Sequence, residues 1–368
     1  MATEIKIMFW NIQNVYEYKT ITPKELEQTP SDPTKHVRKR RKLESNSQKL
    51  YEDYKTNFRD TVVNIIDEND PDVVVLVELS VGKNELIDSG TVEPNGNSRV
   101  IKASIFVDNW SLYQYQIDLN FWAKLKNKNR YWQSAQSPVN CSDIIAIIDP
   151  TGKIIEIKHR NSMFELYGIL WDSNKLNIKN LGEERRIEIV NKPFDSNADL
   201  PFAQRCPGFA QFIDLSGKDL FSLVMIHSVY GNNMTDRANS IEYISRLKVV
   251  YDAVTVRNPG FPLVIAGDFN LDFQKESSKY RPLIDTISGR GLKARINKMT
   301  SIGKPNQSDP NSYMKNAYDN IFTRNFSNDL EEGEVFDFVA EFYGGATNIK
   351  EALRISDHLP IIAKLKLP

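Results

Sequence analysis

Four short runs end in side chains that hold cations or handle protons: Met8–Asn11 (MFWN), Val73–Glu78 (VVVLVE), Gly267–Asp272 (GDFNLD) and Ile355–Pro360 (ISDHLP). Glu78 directly follows the β-branched run Val73–Val77. A carboxylate at the mouth of such a run is costly unless a charge meets it, and a hard divalent cation is the natural partner. Asn11, at the end of another apolar strand, would give a neutral oxygen to the same ion. Asp268 and Asn270 are two residues apart, so on an extended backbone they project to the same side. Gly267 before them permits close approach. A carboxylate and an amide aimed at one spot can place a nucleophile and hold a phosphate oxygen. His358, in Ser356-Asp357-His358, titrates near neutral pH, which suits proton transfer. His227 ends the run Phe221–Ile226. Taken singly, each is an ordinary strand-end or turn residue. The chemistry depends on folding that gathers them.

The elements that would gather them are legible as hydrophobic patterns. Val73–Val77 reads as a strand buried on both faces, and Leu166–Trp171, Phe221–Ile226 and Leu263–Ala266 read likewise. Ala363, Leu365 and Leu367 alternate with Lys364 and Lys366, the period of a half-exposed strand. Leu43, Leu50, Tyr54, Phe58, Val62, Ile65 and Ile66 form a helical stripe that Asp70-Pro71 stops. A second helix is predicted to start near Thr235, to carry Ile241, Ile244, Leu247, Tyr251 and Val254 on one face, and to end before Asn258-Pro259-Gly260. Strands and helices alternate, which predicts an α/β sandwich without a domain break over residues 1–368. Two stretches read as loop insertions, roughly 16–42 and 81–140, where substrate selectivity usually resides.

Composition bounds the function. The chain has 368 residues, 40% hydrophobic and 26% charged, with a net charge of −1, which argues against indiscriminate nucleic-acid binding. Only two cysteines occur, Cys141 and Cys206, so neither a disulfide framework nor a structural zinc site is expected. With no signal-peptide pattern and no apolar run long enough for a bilayer, the expectation is a reduced, cytoplasmic protein with no membrane span, specialised secretion aside.

In order and context, the four runs resemble the endonuclease/exonuclease/phosphatase superfamily, the enzymes built like deoxyribonuclease I. The resemblance implies a four-layer sandwich of two packed mixed β-sheets flanked by helices, and metal-assisted hydrolysis of phosphate esters. It implies Glu78 as principal metal ligand, with Asn11 and Asp357 beside it, and His358 as general base. Asp319, in Ala317-Tyr318-Asp319-Asn320-Ile321, resembles the carboxylate that orients this base. His227 resembles the histidine that protonates the leaving oxygen, with Glu165 as its partner in Arg160-Asn161-Ser162-Met163-Phe164-Glu165-Leu166-Tyr167. Arg205, before Cys206-Pro207, resembles a phosphate-contacting arginine, and Asp268 and Asn270 place water and phosphate. Two departures stand out: Val77 where the family often has Gln, and Asn320 where it usually has Arg. Magnesium is the implied cofactor, manganese a substitute and calcium a structural alternative.

The segment Asn120–Gln133 sets Lys124, Lys126, Lys128 and Arg130 among Trp122, Tyr131 and Trp132, a pattern that can neutralise phosphates and stack bases. The basic run Lys35–Lys42 offers the same. A solvated charged face explains either equally well. The expected function is a magnesium-dependent nuclease acting on nucleic acid, DNA ahead of RNA, as a monomer. A phospholipid or inositol-phosphate phosphodiesterase of the same fold, and an inactive binding scaffold, are the alternatives.

Overall fold

A computed structural model describes residues 4–16, 48–81, 92–95, 98–102, 110–138, 143–148, 154–158, 164–181, 186–190, 205–228, 247–248, 250–252, 254–256, 260–272, 291–305, 309, 312–327 and 331–368. In chain order these form β1 (Glu4–Tyr16), α1 (Gln48–Asn69), β2 (Val73–Val81), β3 (Val92–Asn95), β4 (Ser98–Lys102), α2 (Trp110–Leu125), β5 (Trp132–Gln136), β6 (Asp143–Ile148), β7 (Ile154–Lys158) and β8 (Phe164–Asp172). There follow β9 (Asn177–Ile178), β10 (Glu188–Ile189), β11 (Gly208–Ile213), β12 (Asp219–His227), β13 (Leu263–Asp268), β14 (Lys293–Ala294), β15 (Asp319–Arg324), β16 (Glu334–Val335), α3 (Phe338–Tyr343), α4 (Ile349–Ile355) and β17 (Ile361–Lys366).

One sheet runs β16-β17-β1-β2-β8-β5 and a second runs β10-β11-β12-β13-β15-β14, with β9 on β11. The two pack face to face. Ile5, Ile7, Phe9, Val73, Val75 and Val77 meet Phe212, Phe221, Leu223, Met225, Val264 and Ala266 in one apolar core. Alternate residues of the same strands, Met8, Trp10, Val74 and Leu76, face α1 and α2 through Val62, Ile66, Leu112, Tyr115 and Leu119. On the far face of the second sheet, Val224, Ile226 and Ile265 pack against Leu247, Val250, Tyr251 and Val254. The continuous apolar runs therefore reflect burial on both faces, and helix–sheet–sheet–helix is the sandwich expected from sequence. β17 alternates as predicted, with Lys364 and Lys366 exposed.

Two expectations need correction or restriction. Residues 81–140 are not simply an insertion. They contain α2, whose Leu112, Tyr115 and Leu119 fill the core, and β5, an edge strand of the first sheet. Sequence reading missed α2 because it is apolar on several sides, which blurs the helical period. A separate four-stranded antiparallel sheet, β3-β4-β6-β7, also arises from residues 92–158 and was not foreseen. The 17–42 stretch with its basic run, the start of the second helix near Thr235, Leu43 and Cys141 lie outside the described residues. Cys206 is buried and free.

Gly267 is required for close approach rather than for unusual dihedrals. A Cβ there would lie 2.4 Å from Ile226 Cβ and 2.5 Å from Ile226 O, on the neighbouring strand β12. Both obstacles belong to a packed strand and cannot swing aside. Gly267→Ala is expected to cost about 1–3 kcal/mol or more, as overpacking does, read as a lowered Tm in calorimetry. An unchanged Tm would mean that β12 and β13 separate at little cost.

Candidate active site

The sheet topology brings the candidate residues to one edge of the sandwich. Asn11 lies late in β1 and pairs in parallel register with Val77 of β2, so Glu78 follows one residue beyond. His227 ends β12 in register with Asp268, which ends β13, and Asp268 faces Asp319 at the start of antiparallel β15. Glu165 opens β8, antiparallel to β2. His358 lies three residues before the start of β17, which is antiparallel to β1. Parallel strands contribute their ends and antiparallel strands their beginnings.

Three of these residues sit in left-handed backbone: Glu78 (φ 61°), Arg205 (φ 52°) and Asn270 (φ 52°). Such conformations cost on the order of 1–3 kcal/mol each in non-glycine residues and gather at functional sites. At Glu78 the pairing of β2 with β8 shifts between Leu76 and Leu79, a bulge that turns the carboxylate out of the ladder.

The side chains form two histidine–carboxylate pairs around a shared centre. His358 Nδ1 lies 2.7 Å from Asp319 Oδ2. His227 Nδ1 lies 2.8 Å from Glu165 Oε2, an ion-pair distance whose alignment falls short of a hydrogen bond. The Nε2 atoms of both histidines are 3.8 Å from the same atom, Asp268 Oδ2. Asn11 Nδ2 donates to that oxygen at 3.0 Å and to Glu78 Oε1 at 3.1 Å. Glu78 Oε1 is 3.4 Å from His227 Nε2, and Asp357 Oδ1 is 3.8 Å from His358 Nε2. Arg205 joins the second pair: Nη2 donates to Glu165 Oε1 at 2.8 Å, and Nη1 to Ser228 O at 2.6 Å, with His227 Nε2 3.0 Å away.

Asn270 departs from the extended geometry expected of it. It lies past the strand end, where its backbone N–H donates to Asp268 Oδ1 at 2.8 Å and its amide to Ser228 O at 3.0 Å. The Asp-Phe-Asn turn thus closes on itself and holds the segment after His227, because a short aspartate side chain captures the backbone two residues on. Asp272, at the end of the same run, is buried.

The electrostatics of the pocket are those of crowded carboxylates. Burial pushes the Glu78 carboxyl above its usual range; His227 opposes this, while Glu165 and Asp357 reinforce it. Burial likewise raises Asp268, against the pull of His358. For Glu165, burial is outweighed by Arg205 and His227, which bring it down to about 2. Burial alone would lower His358, but Asp319 and Asp268 beside it hold it well above the ordinary histidine value.

These observations fit a hard divalent cation. The pocket collects Glu78, Asp268, Asp319 and Asp357 against Arg205 and two imidazoles, and carboxylates raised by burial and by one another lack compensating charge. Glu78, with Asp357 near it, presents carboxylate oxygens of the kind magnesium takes, whereas Asn11, expected to give an oxygen, turns its amide nitrogen to Glu78 and Asp268. Asp268, Asp319 and His358 also bring ligand atoms within 4.8 Å of one another. There, however, Asp319 Oδ2 is already occupied by His358 Nδ1 and the Thr300 hydroxyl. The Glu78 side is the better fit.

Lys124, Lys126 and Lys128 do not join the site. Lys126 and Lys128 bind Asp67, Lys128 also binds Asp70, and Arg130 reaches Asp72, just before β2 begins. Five residues, Val73–Val77, lie between Asp72 and Glu78, so six residue steps put the two about 20 Å apart. Trp132 is buried in the core rather than open to stacking, and Lys124 is exposed on α2. Alternating cations and aromatics here neutralise buried aspartates and fill a helix–sheet core. The expected substrate role of these three lysines is withdrawn.

Sequence reading missed several supports because they belong to no motif. Trp10 Nε1 donates to His358 O at 2.9 Å, and Ser356 Oγ donates to Asn11 O at 2.6 Å while accepting from His358 N at 2.9 Å. Asn320, the departure from the expected arginine, accepts from the Arg295 and Ile296 N–H groups and donates to Ile296 O at 2.8 Å. That amide is a structural clip on the neighbouring segment.

Solved structures share this architecture. An endonuclease/exonuclease/phosphatase family protein from Leptotrichia buccalis superposes with a TM-score of 0.51 at 13% identity, covering 99% of each chain. The chain has the endonuclease/exonuclease/phosphatase fold. A functionally unknown conserved protein from Enterococcus faecalis V583 gives a TM-score of 0.50 at 12% identity, over 99% of this chain and 100% of that one. The human Nocturnin catalytic domain with bound sulfate gives 0.46 at 11%, over 99% and 95%. No protein-family model and no curated protein sequence matches the chain. In this endonuclease/exonuclease/phosphatase fold, no helix among the described residues is long and apolar enough to cross a membrane.

Proposed function

We propose that the protein is a divalent-metal-dependent phosphodiesterase, and that its substrate is nucleic acid, DNA ahead of RNA. One observation carries the reading: two imidazoles, each backed by its own carboxylate, approach one carboxylate oxygen from 3.8 Å. A scissile phosphate at that centre has a proton acceptor on one side and a donor on the other, the arrangement in-line displacement needs.

His358 Nε2 takes the proton of the attacking water, with Asp319 fixing the ring through Nδ1. Asp268 orients that water, and Asn270 holds the turn that aims Asp268. His227, supported by Glu165, gives a proton from Nε2 to the leaving oxygen. Arg205 supplies a guanidinium for a phosphate oxygen. Glu78 and Asp357, with Asn11 if its amide oxygen turns inward, would hold a magnesium ion, or manganese as a substitute, which would supply Lewis-acid polarisation of the phosphate. The 3.0 Å approach of Arg205 Nη1 to His227 Nε2 favours a second assignment with the histidines exchanged, since a cationic donor there asks Nε2 for a lone pair.

The test offers purified protein supercoiled plasmid, RNA, sphingomyelin and inositol phosphates, with magnesium or EDTA. Magnesium-dependent nicking is the expected result. Headgroup release with intact plasmid would replace nucleic acid by a phospholipid or inositol phosphate, and inactivity on every substrate would leave a binding scaffold.

A further inference from the structure

Asp319 is held by more than the histidine it faces. The Thr300 hydroxyl donates to Asp319 Oδ2 at 2.6 Å and accepts the Asp319 backbone N–H at 3.0 Å. His358 Nδ1 shares that same Oδ2 at 2.7 Å. The other oxygen, Oδ1, is buried and has no hydrogen-bond partner. A carboxylate with one bare oxygen is free to rotate about its broad terminal torsion unless its partners pin it.

Thr300 is itself fixed to both halves of the pair. Its N–H donates to Asn316 O at 2.8 Å, in the segment leading to Asp319, and its carbonyl accepts from Leu359 N, the residue after His358, at 2.6 Å. Ser301, next to it, forms a β-bridge with His358. Thr300 is fully buried. One residue thus ties the carboxylate and the histidine backbone into a single frame.

We infer that Thr300 is a positioning residue for the Asp319–His358 pair, its hydroxyl selecting Oδ2 as the oxygen that orients the imidazole. The inference rests on the phosphodiesterase reading for its kinetic consequence, though not for its geometry. Residues that orient a functional group in this way typically change activity ~10–100-fold when lost.

Thr300→Val keeps the shape and removes the hydroxyl; Thr300→Ser keeps the hydroxyl. On the substrate the wild type cleaves, the Val variant should lose ~10–100-fold in kcat with KM unchanged, and the Ser variant should recover most of it. A purely structural hydroxyl would lower Tm in the Val variant while leaving kcat of the folded protein at the wild-type value, and that result overturns the inference. So does a folded Ser variant as slow as Val. A second readout needs no turnover. The chain has four histidines, so imidazole 15N-labelled protein resolves the Nδ1 proton of His358, identified by its absence in His358→Gln. Its low-field resonance should move in Val and return in Ser. An unmoved resonance overturns the inference even if the wild type cleaves nothing, an outcome that would separately end the phosphodiesterase reading.

Discussion

His358→Gln lowers kcat on plasmid DNA by about 10²–10⁴-fold with little change in KM, the range lost when a general acid or base is removed. The expectation follows from the 2.7 Å contact with Asp319 and the approach of Nε2 to Asp268. His227→Gln should be comparably slow on DNA. The two part company on bis(p-nitrophenyl) phosphate, whose leaving group departs as a stable anion and needs no proton. The variant lacking the acid regains much of its rate there; the variant lacking the base does not. His227 is the expected acid, so recovery by His358→Gln would exchange the roles. The pH profile carries the same information. A base must be deprotonated to act, so activity falls as pH drops through its pKa. With the neighbouring carboxylates holding His358 above the ordinary histidine value, that acid limb should lie above the usual position. A profile flat from mildly acid to mildly alkaline pH would exclude His358 as the base.

Glu78→Gln has opposite effects on stability with and without metal. Glu78 has its carboxyl raised in the fold, first by burial, so ionising it opposes folding. The sign follows directly: the native state holds this proton more tightly than the unfolded chain, so stability falls as pH rises through the folded pKa. At neutral pH in EDTA, the neutral amide removes that cost and the variant should melt above the wild type. Magnesium reverses the order, because a ligand bound only by the native state adds about 2.7 kcal/mol at a hundredfold excess over Kd, and the variant has lost its principal ligand. Activity should fall by more than the ~10–100-fold that loss of an outer partner costs. Identical melting shifts with magnesium in both proteins would remove Glu78 from the metal site.

Much of this was legible in the sequence for a simple reason. Strands buried on both faces declare themselves as unbroken apolar runs, and the polar residue that ends each run can only emerge at the sheet edge. Asn11, Glu78, His227 and Asp268 were singled out that way, and the strand registers do bring them to one edge. What could not be read were features set by tertiary pairing. The bulge at Glu78, the turn that folds Asn270 back on Asp268 and the hydroxyl of Thr300 leave no periodic trace. The lysines after α2 misled because a cation beside an aromatic looks the same whether it faces a phosphate or a buried aspartate.

β17, which follows His358, is made long after β1, the strand it lies against. Trp10 and Ser356 then fasten the two segments together. A nascent chain on the ribosome that has not yet released residues 356–366 therefore lacks His358 and a neighbour for β1. Glu78, Asp268 and Asp319 are already synthesised, yet on the phosphodiesterase reading such a chain should be inactive. A chain stopped at residue 355 that nicks plasmid would refute this.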